Sequence, residues 1–175
     1  VGLLVAGEIY RYLGKTWNAA LGIVSRAEEV ARREILAQDL IEPLGDVAGL
    51  FARLKKQELL LAIATGDTRA STEASLERLR IASLVDAVVC TDDGFAPKPA
   101  PDMALEICRR LNMPPQEAAV IGDTVADLEM ARRAGVALAV GVTSGANSAE
   151  ILAPYADCIL PTIHAIELLA VPEER

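Results

Sequence analysis

Five short apolar runs organise the chain from Leu59 onward: 59–65, 86–90, 118–121, 137–142 and 157–160. None shows the polar alternation of a strand with one wet face, so each is expected to be a strand buried on both faces of a parallel sheet. The stretches between them carry helical spacing. Ala70, Ala74, Leu76 and Leu79 share one side of a helix over 69–80. Pro101 suits the first turn of a helix to about residue 111, and Gly135 stands where a helix over 125–134 needs its C-cap. A short helix over 148–152 and a closing helix over 163–169 complete the pattern. Right-handed crossovers between such strands give an α/β, doubly wound parallel sheet, with its reactive groups beyond the carboxyl ends of the strands.

The first 58 residues have a different pattern. Segments 2–13, 17–24 and 27–40 are mainly helical in spacing, with breaks at Gly14 and Gly22. Pro43-Leu44-Gly45 makes a turn, and Asp46 is placed to cap a helix running through Lys56. The expected division is a small helical segment over 1–42 and an α/β core over 43–175.

Composition narrows the class of protein. At 175 residues, 52% hydrophobic and 24% charged, the chain matches one globular domain. Aromatics make up only 3%, so Ala, Val, Leu and Ile must fill the core. A net charge of −8 argues against nucleic acid and anionic membrane as partners. No run of eighteen apolar residues offers a transmembrane helix. Cys90, Cys108 and Cys158 lack metal-type spacing and are expected as buried small side chains in a reducing, cytoplasmic setting. His164, the sole histidine, is expected at a helix start or on the surface.

Three groups at the strand ends carry candidate chemistry. Thr65-Gly66-Asp67 offers a hydroxyl and turn N–H groups to an anion, and equally suits a turn with an N-cap. Lys98 lies between Pro97 and Pro99, which hold its backbone near extended values. It either aims its ammonium at an anion or extends into solvent from a rigid loop. Asp123 and Asp127 stand i, i+4 at a strand-to-helix junction. That spacing fits a pair around a hard cation, and fits N-capping with a first-turn Asp as well.

Taken in order, Ala64-Thr65-Gly66-Asp67, Pro97-Lys98-Pro99 and Gly122-Asp123-Thr124-Val125-Ala126-Asp127 resemble the second, third and fourth motifs of the haloacid dehalogenase-like hydrolase superfamily. Lys98-Pro99-Ala100-Pro101-Asp102 and Ala131-Arg132-Arg133-Ala134-Gly135 resemble its phosphoglycolate phosphatase-like branch. The resemblance covers about residues 44–169 and makes 1–42 the remainder of a helical cap. It implies phosphoryl transfer from a small phosphorylated metabolite through an aspartyl phosphate, with Mg²⁺ as cofactor. By the same resemblance Thr65, Gly66, Asp67 and Lys98 meet the substrate, with Thr65 and Lys98 also catalytic. Asp123 and Asp127 serve the metal, and such an acidic pair favours a phosphatase over a dehalogenase.

The superfamily's first motif, Asp-x-Asp, supplies the attacking carboxylate and the general acid/base. No two aspartates here stand two positions apart, and none precedes Asp39. Loss of an upstream strand is the favoured expectation, since the chain opens on Val1. The alternative lets 1–6 stand in for that strand, with Gly7-Glu8 where the nucleophile belongs, and yields an inactive relative that binds a phosphate ligand or a protein. A sheet without its central strand is expected to be less stable, or to close up, swap or dimerise.

Overall fold

The computed structural model describes residues 43–167, together with five isolated positions, Ala19, Ile23, Arg26, Ala27 and Val30, all helical. The chain divides into two compact units, Val1–Leu44 and Gly45–Arg175. The helices expected over 2–13, 17–24 and 27–40 and the stand-in strand over 1–6 lie outside the described residues, apart from those five positions.

In the second unit all five apolar runs are strands: β1 Ala62–Ala64, β2 Ala87–Val89, β3 Ala119–Gly122, β4 Leu138–Val142 and β5 Cys158–Leu160. Every pairing is parallel. The strands form two sheets, β1-β2 and β3-β4-β5, in register Ile63 with Val88, Ile121 with Val140, and Gly141 with Ile159. Among the described residues no strand joins β1 to β3.

The helices are α1 Val47–Lys55, α2 Arg69–Arg78, α3 Asp102–Arg110, α4 Val125–Ala134 and α5 Ala149–Leu152. Their ends follow local chemistry. The Asp46 carboxylate accepts from the Gly49 N–H at 2.8 Å and starts α1. Gly135 closes α4 at φ 72°, a left-handed value that costs glycine least. The closing helix expected over 163–169 is, within the described residues, only a 3₁₀ turn, Ile163–Ala165. Ile166 has extended dihedrals, so the turn does not propagate.

Two apolar clusters hold the unit together. Val89, Met103, Ala104, Met130 and Ala134 form one, with Ala64 and Val120 packed against it. It therefore draws on both sheets through α3 and α4. Leu128, Ala131, Ala139 and Leu152 form the other, between α4, α5 and the β3-β4-β5 sheet. The opposite face of that sheet is covered only in part. Val140 and Val142 are buried there, but Ile121 and Leu138 are 42% and 40% exposed, and Cys158 is exposed beside them. Cys158 thus departs from the expected burial because it opens an edge strand on this open face, whereas Cys90 and Cys108 are buried.

The ends of β2 and α2 are joined by charge. Arg69 donates from Nε to Asp93 Oδ1 at 3.1 Å and from its terminal nitrogen to Oδ2 at 2.5 Å. This Arg69 guanidinium, then the Cys90 N–H, hold the Asp93 carboxyl below its usual range. A carboxyl depressed in the folded state stabilises above its unfolded value, about 3.9, and that contribution is lost as pH falls through the lower folded value. Thermal melts across the acid range should show wild type losing stability on acidification more steeply than Asp93→Asn. Parallel curves for the two would overturn this account.

Candidate functional site

Thr65 follows β1 directly and extends its pairing, since the Thr65 N–H donates to the Val89 carbonyl at 3.0 Å. Its hydroxyl donates to Asp67 Oδ2 at 3.3 Å and accepts from the Asp67 N–H at 3.1 Å. The turn is therefore formed by Thr65 and Asp67 themselves. Gly66 at its crest is exposed, and a Cβ built there would meet open space. A ligand oxygen has room to approach that backbone.

Lys98 does not extend into solvent. Its Nζ donates to the Ala64 carbonyl at 3.3 Å and to Asp127 Oδ1 at 2.5 Å. The ammonium thus links the end of β1 to the first turn of α4. The pair is mostly shielded, with the two side chains 19% and 11% exposed. At that depth an ion pair is screened less than on a surface, and each partner depends on the other.

Asp127 has a second duty. Thr124 caps α4: its hydroxyl donates to Asp127 Oδ2 at 2.6 Å, its N–H donates to the same oxygen at 3.1 Å, and its Oγ1 accepts from the Asp127 N–H at 3.2 Å. Both carboxylate oxygens of Asp127 are occupied by protein donors. The close approach is possible because residue 122 is glycine; a Cβ there would lie 2.2 Å from Asp127 Cβ.

Asp123 turns elsewhere. Its Oδ2 accepts from the Ala146 N–H at 2.8 Å, in the loop after β4. Oδ1 accepts nothing among the described residues. The two aspartates expected to serve the metal are therefore unequal: Asp127 is a brace, and Asp123 keeps an oxygen in reserve. Among the described residues no cluster of three or more His, Cys, Asp or Glu side chains is placed to hold a metal by itself.

The expected groups are thus brought together in two steps, Thr65 with Asp67, and Lys98 with Asp127 and the β1 end next to Thr65. The loop holding Asp123 was not among the expected site elements. In the sequence, Thr143-Ser144-Gly145 after the fourth apolar run marks it only as a structural loop near the same sheet edge. Asp92 and Asp93 serve Arg69 rather than the site. His164 stands in the final 3₁₀ turn, partly buried against Gly45.

A parallel α/β core with a threonine, a lysine and two aspartates beyond the carboxyl ends of its strands carries its polar groups where open α/β sheets bind ligands. The sequence model of the family described as "Haloacid dehalogenase-like hydrolase" matches residues 5–140, and the chain belongs to that family. Curated relatives include phosphatases. The chain is 40% identical over 131 residues to "Probable phosphatase IndB" of Dickeya dadantii, covering 74% of this chain and 56% of that protein. It is 32% identical over 106 residues to phosphoglycolate phosphatase of Escherichia coli, covering 61% and 42%. It thus spans about half the length of these relatives. Among solved structures, a hydrolase from Pseudomonas syringae superposes with a TM-score of 0.74 at 26% identity, covering 90% of this chain and 72% of that one. A family IA hydrolase of Entamoeba histolytica superposes with a TM-score of 0.77 at 22% identity, covering 94% and 75%, and shares the fold.

Among the described residues no helix is long and apolar enough to cross a membrane.

Proposed function

We propose that this chain carries the phosphate- and cation-handling part of a Mg²⁺-dependent phosphatase acting on a small phosphorylated metabolite. The observation that carries this reading is Lys98, whose ammonium is fixed between the β1 end and Asp127 in a mostly shielded position. A fixed cation there favours binding of a phosphate dianion and the charge that builds on its oxygens during transfer.

The roles follow from the donors. The Thr65 hydroxyl turns from Asp67 to a phosphoryl oxygen, and the exposed Gly66 turn lends its backbone. Lys98 neutralises the phosphoryl group from the side of α4. Asp123 suits Mg²⁺, a hard ion that keeps most of its waters and takes one or two carboxylates plus phosphate oxygens. Its reserved Oδ1 fits that demand, and the bare Gly145 leaves the carboxylate its space. Bound there, Mg²⁺ would supply charge neutralisation between an attacking carboxylate and the phosphate. Asp127 keeps Lys98 and the start of α4 in place. In this reading the attacking Asp and the general acid/base come from an Asp-x-Asp strand beside the open edges of β1 and β3, and water then cleaves the aspartyl phosphate.

A second reading rests on the absence of any Asp-x-Asp from these 175 residues: a non-catalytic phosphate-binding member of the family. One assay separates the two. The complete reading frame is tested on p-nitrophenyl phosphate and phosphoglycolate with and without Mg²⁺. Turnover that needs both Mg²⁺ and an upstream Asp-x-Asp is the expected result, with the 175 residues alone showing negligible turnover. A complete frame that lacks the motif and turns over neither substrate sinks the enzymatic reading.

A further inference from the structure

The loop after β4 makes three separate contacts with the turn that carries Asp123. The Ala146 N–H donates to Asp123 Oδ2 at 2.8 Å. The Asn147 N–H donates to the Asp123 carbonyl at 3.2 Å. The Asn147 side-chain oxygen accepts from the Val125 N–H at 3.3 Å. Asn147 therefore grips the turn on both sides of Thr124, while its neighbour grips the carboxylate itself.

The approach is closer than any side chain at 145 would allow. A Cβ built on Gly145 would fall 2.0 Å from Asp123 Oδ2 and 2.5 Å from its Cβ and Cγ. The φ of Gly145 is not a left-handed one, so space, not backbone freedom, demands glycine here. Loop and carboxylate are fitted to each other.

The chemistry of the grip is directional. An N–H at 2.8 Å fixes one carboxylate oxygen and so fixes the plane of the group. The other oxygen, Oδ1, accepts no hydrogen bond among the described residues, so both its lone pairs are available. An ion that needs near-ideal octahedral geometry gains from an oxygen whose direction is set beforehand, and Ca²⁺, with its adaptable coordination, gains less.

We infer that Gly145-Ala146-Asn147 is the positioning element for Asp123, with Asn147 as its key positioning residue, and that it tunes the site toward Mg²⁺ over Ca²⁺. This rests on the reading of Asp123 as the cation-binding carboxylate. Partners that orient a metal ligand are typically worth about 10–100-fold in affinity.

The test uses Mn²⁺ as a paramagnetic probe on the 175-residue chain, since line broadening of the Ala146 and Val125 amide signals detects even weak binding. Competition with Mg²⁺ and with Ca²⁺ then gives both affinities. Asn147→Ala is expected to weaken Mg²⁺ by roughly 10-fold and Ca²⁺ by less, so the Mg²⁺/Ca²⁺ ratio falls. A general loss of stability would not shift that ratio. Should Asn147→Ala fail to fold by circular dichroism, Asn147→Ser takes its place, because its shorter side chain also loses reach to Val125. An unchanged ratio in a folded variant overturns the inference, while loss of broadening in Asp123→Ala shows that the cation reading itself stands. Broadening that survives Asp123→Ala, or none in wild type, overturns that reading and the inference with it.

Discussion

Asp127→Ala is expected to lower the melting temperature by on the order of 10 °C. Two losses combine. The Thr124 N–H and hydroxyl lose their shared acceptor, and removal of a helix cap costs about 1 kcal/mol. Lys98 loses its counter-ion in a place where its side chain is only 19% exposed, and breaking such a pair from one side costs about 3 kcal/mol. For a chain of this size each kcal/mol moves the midpoint by roughly 2–4 °C. Asp127→Asn should lie between, since its amide oxygen still accepts from Thr124 but carries no charge for Lys98. A second change distinguishes the ion pair from the cap. In the Lys98→Met, Asp127→Ala double variant no charge is left stranded, so part of the loss should return. Melts followed by circular dichroism measure all four proteins. A midpoint for Asp127→Ala within a degree or two of wild type would falsify the bracing role.

Leu128→Ala, one position further along α4, should cost as much through a different mechanism. Leu128 is fully buried among Ala131, Ala139 and Leu152. Leu-to-Ala changes in cores cost about 2–5 kcal/mol, and the amount depends on how far the surroundings collapse. Here two of the buried neighbours are alanines, one on the same helix and one on β4, and neither can reach into the space. A loss near about 4 kcal/mol is therefore expected, measured as a lower urea midpoint with an unchanged slope. A loss below about 1.5 kcal/mol would mean that the helix slides to fill the space. The two variants together show how α4 works: adjacent residues face the charged site and the apolar core, so the core sets the position from which Asp127 acts.

Much of this was legible in the chain. Four of the five strands fall inside the apolar runs and β3 reaches one residue past its run to Gly122, because a strand buried in a parallel sheet needs a stretch of Val, Ile, Leu and Ala. Helix α4 matches its expected span, 125–134, because Thr124 and Gly135 state its ends chemically. Lys98 and Asp127 stand out through the motifs that carry them, but nothing in the sequence marks them as each other's partners. That contact spans 29 positions and depends on the loop's path across the end of β1. The clamp on Asp123 was invisible for the same reason. Asn147 looks like any loop residue until the fold brings it under Val125. The exposure of Cys158 and the short final turn were also out of reach, since both depend on which sheet face is covered and where.

The division of the sheet has a further consequence for how the molecule opens. Each sheet is made of strands that are neighbours in sequence, so its pairings close only short loops. Among the described residues, no backbone ladder runs from one to the other; the coupling passes through α3, α4 and the Lys98 ammonium. Side-chain packing and one cation transmit less cooperativity than a continuous ladder. Amide exchange should thus release the two sheets as separate units, β1-β2 and β3-β4-β5, with the Lys98–Asp127 contact setting how closely their protection keeps step.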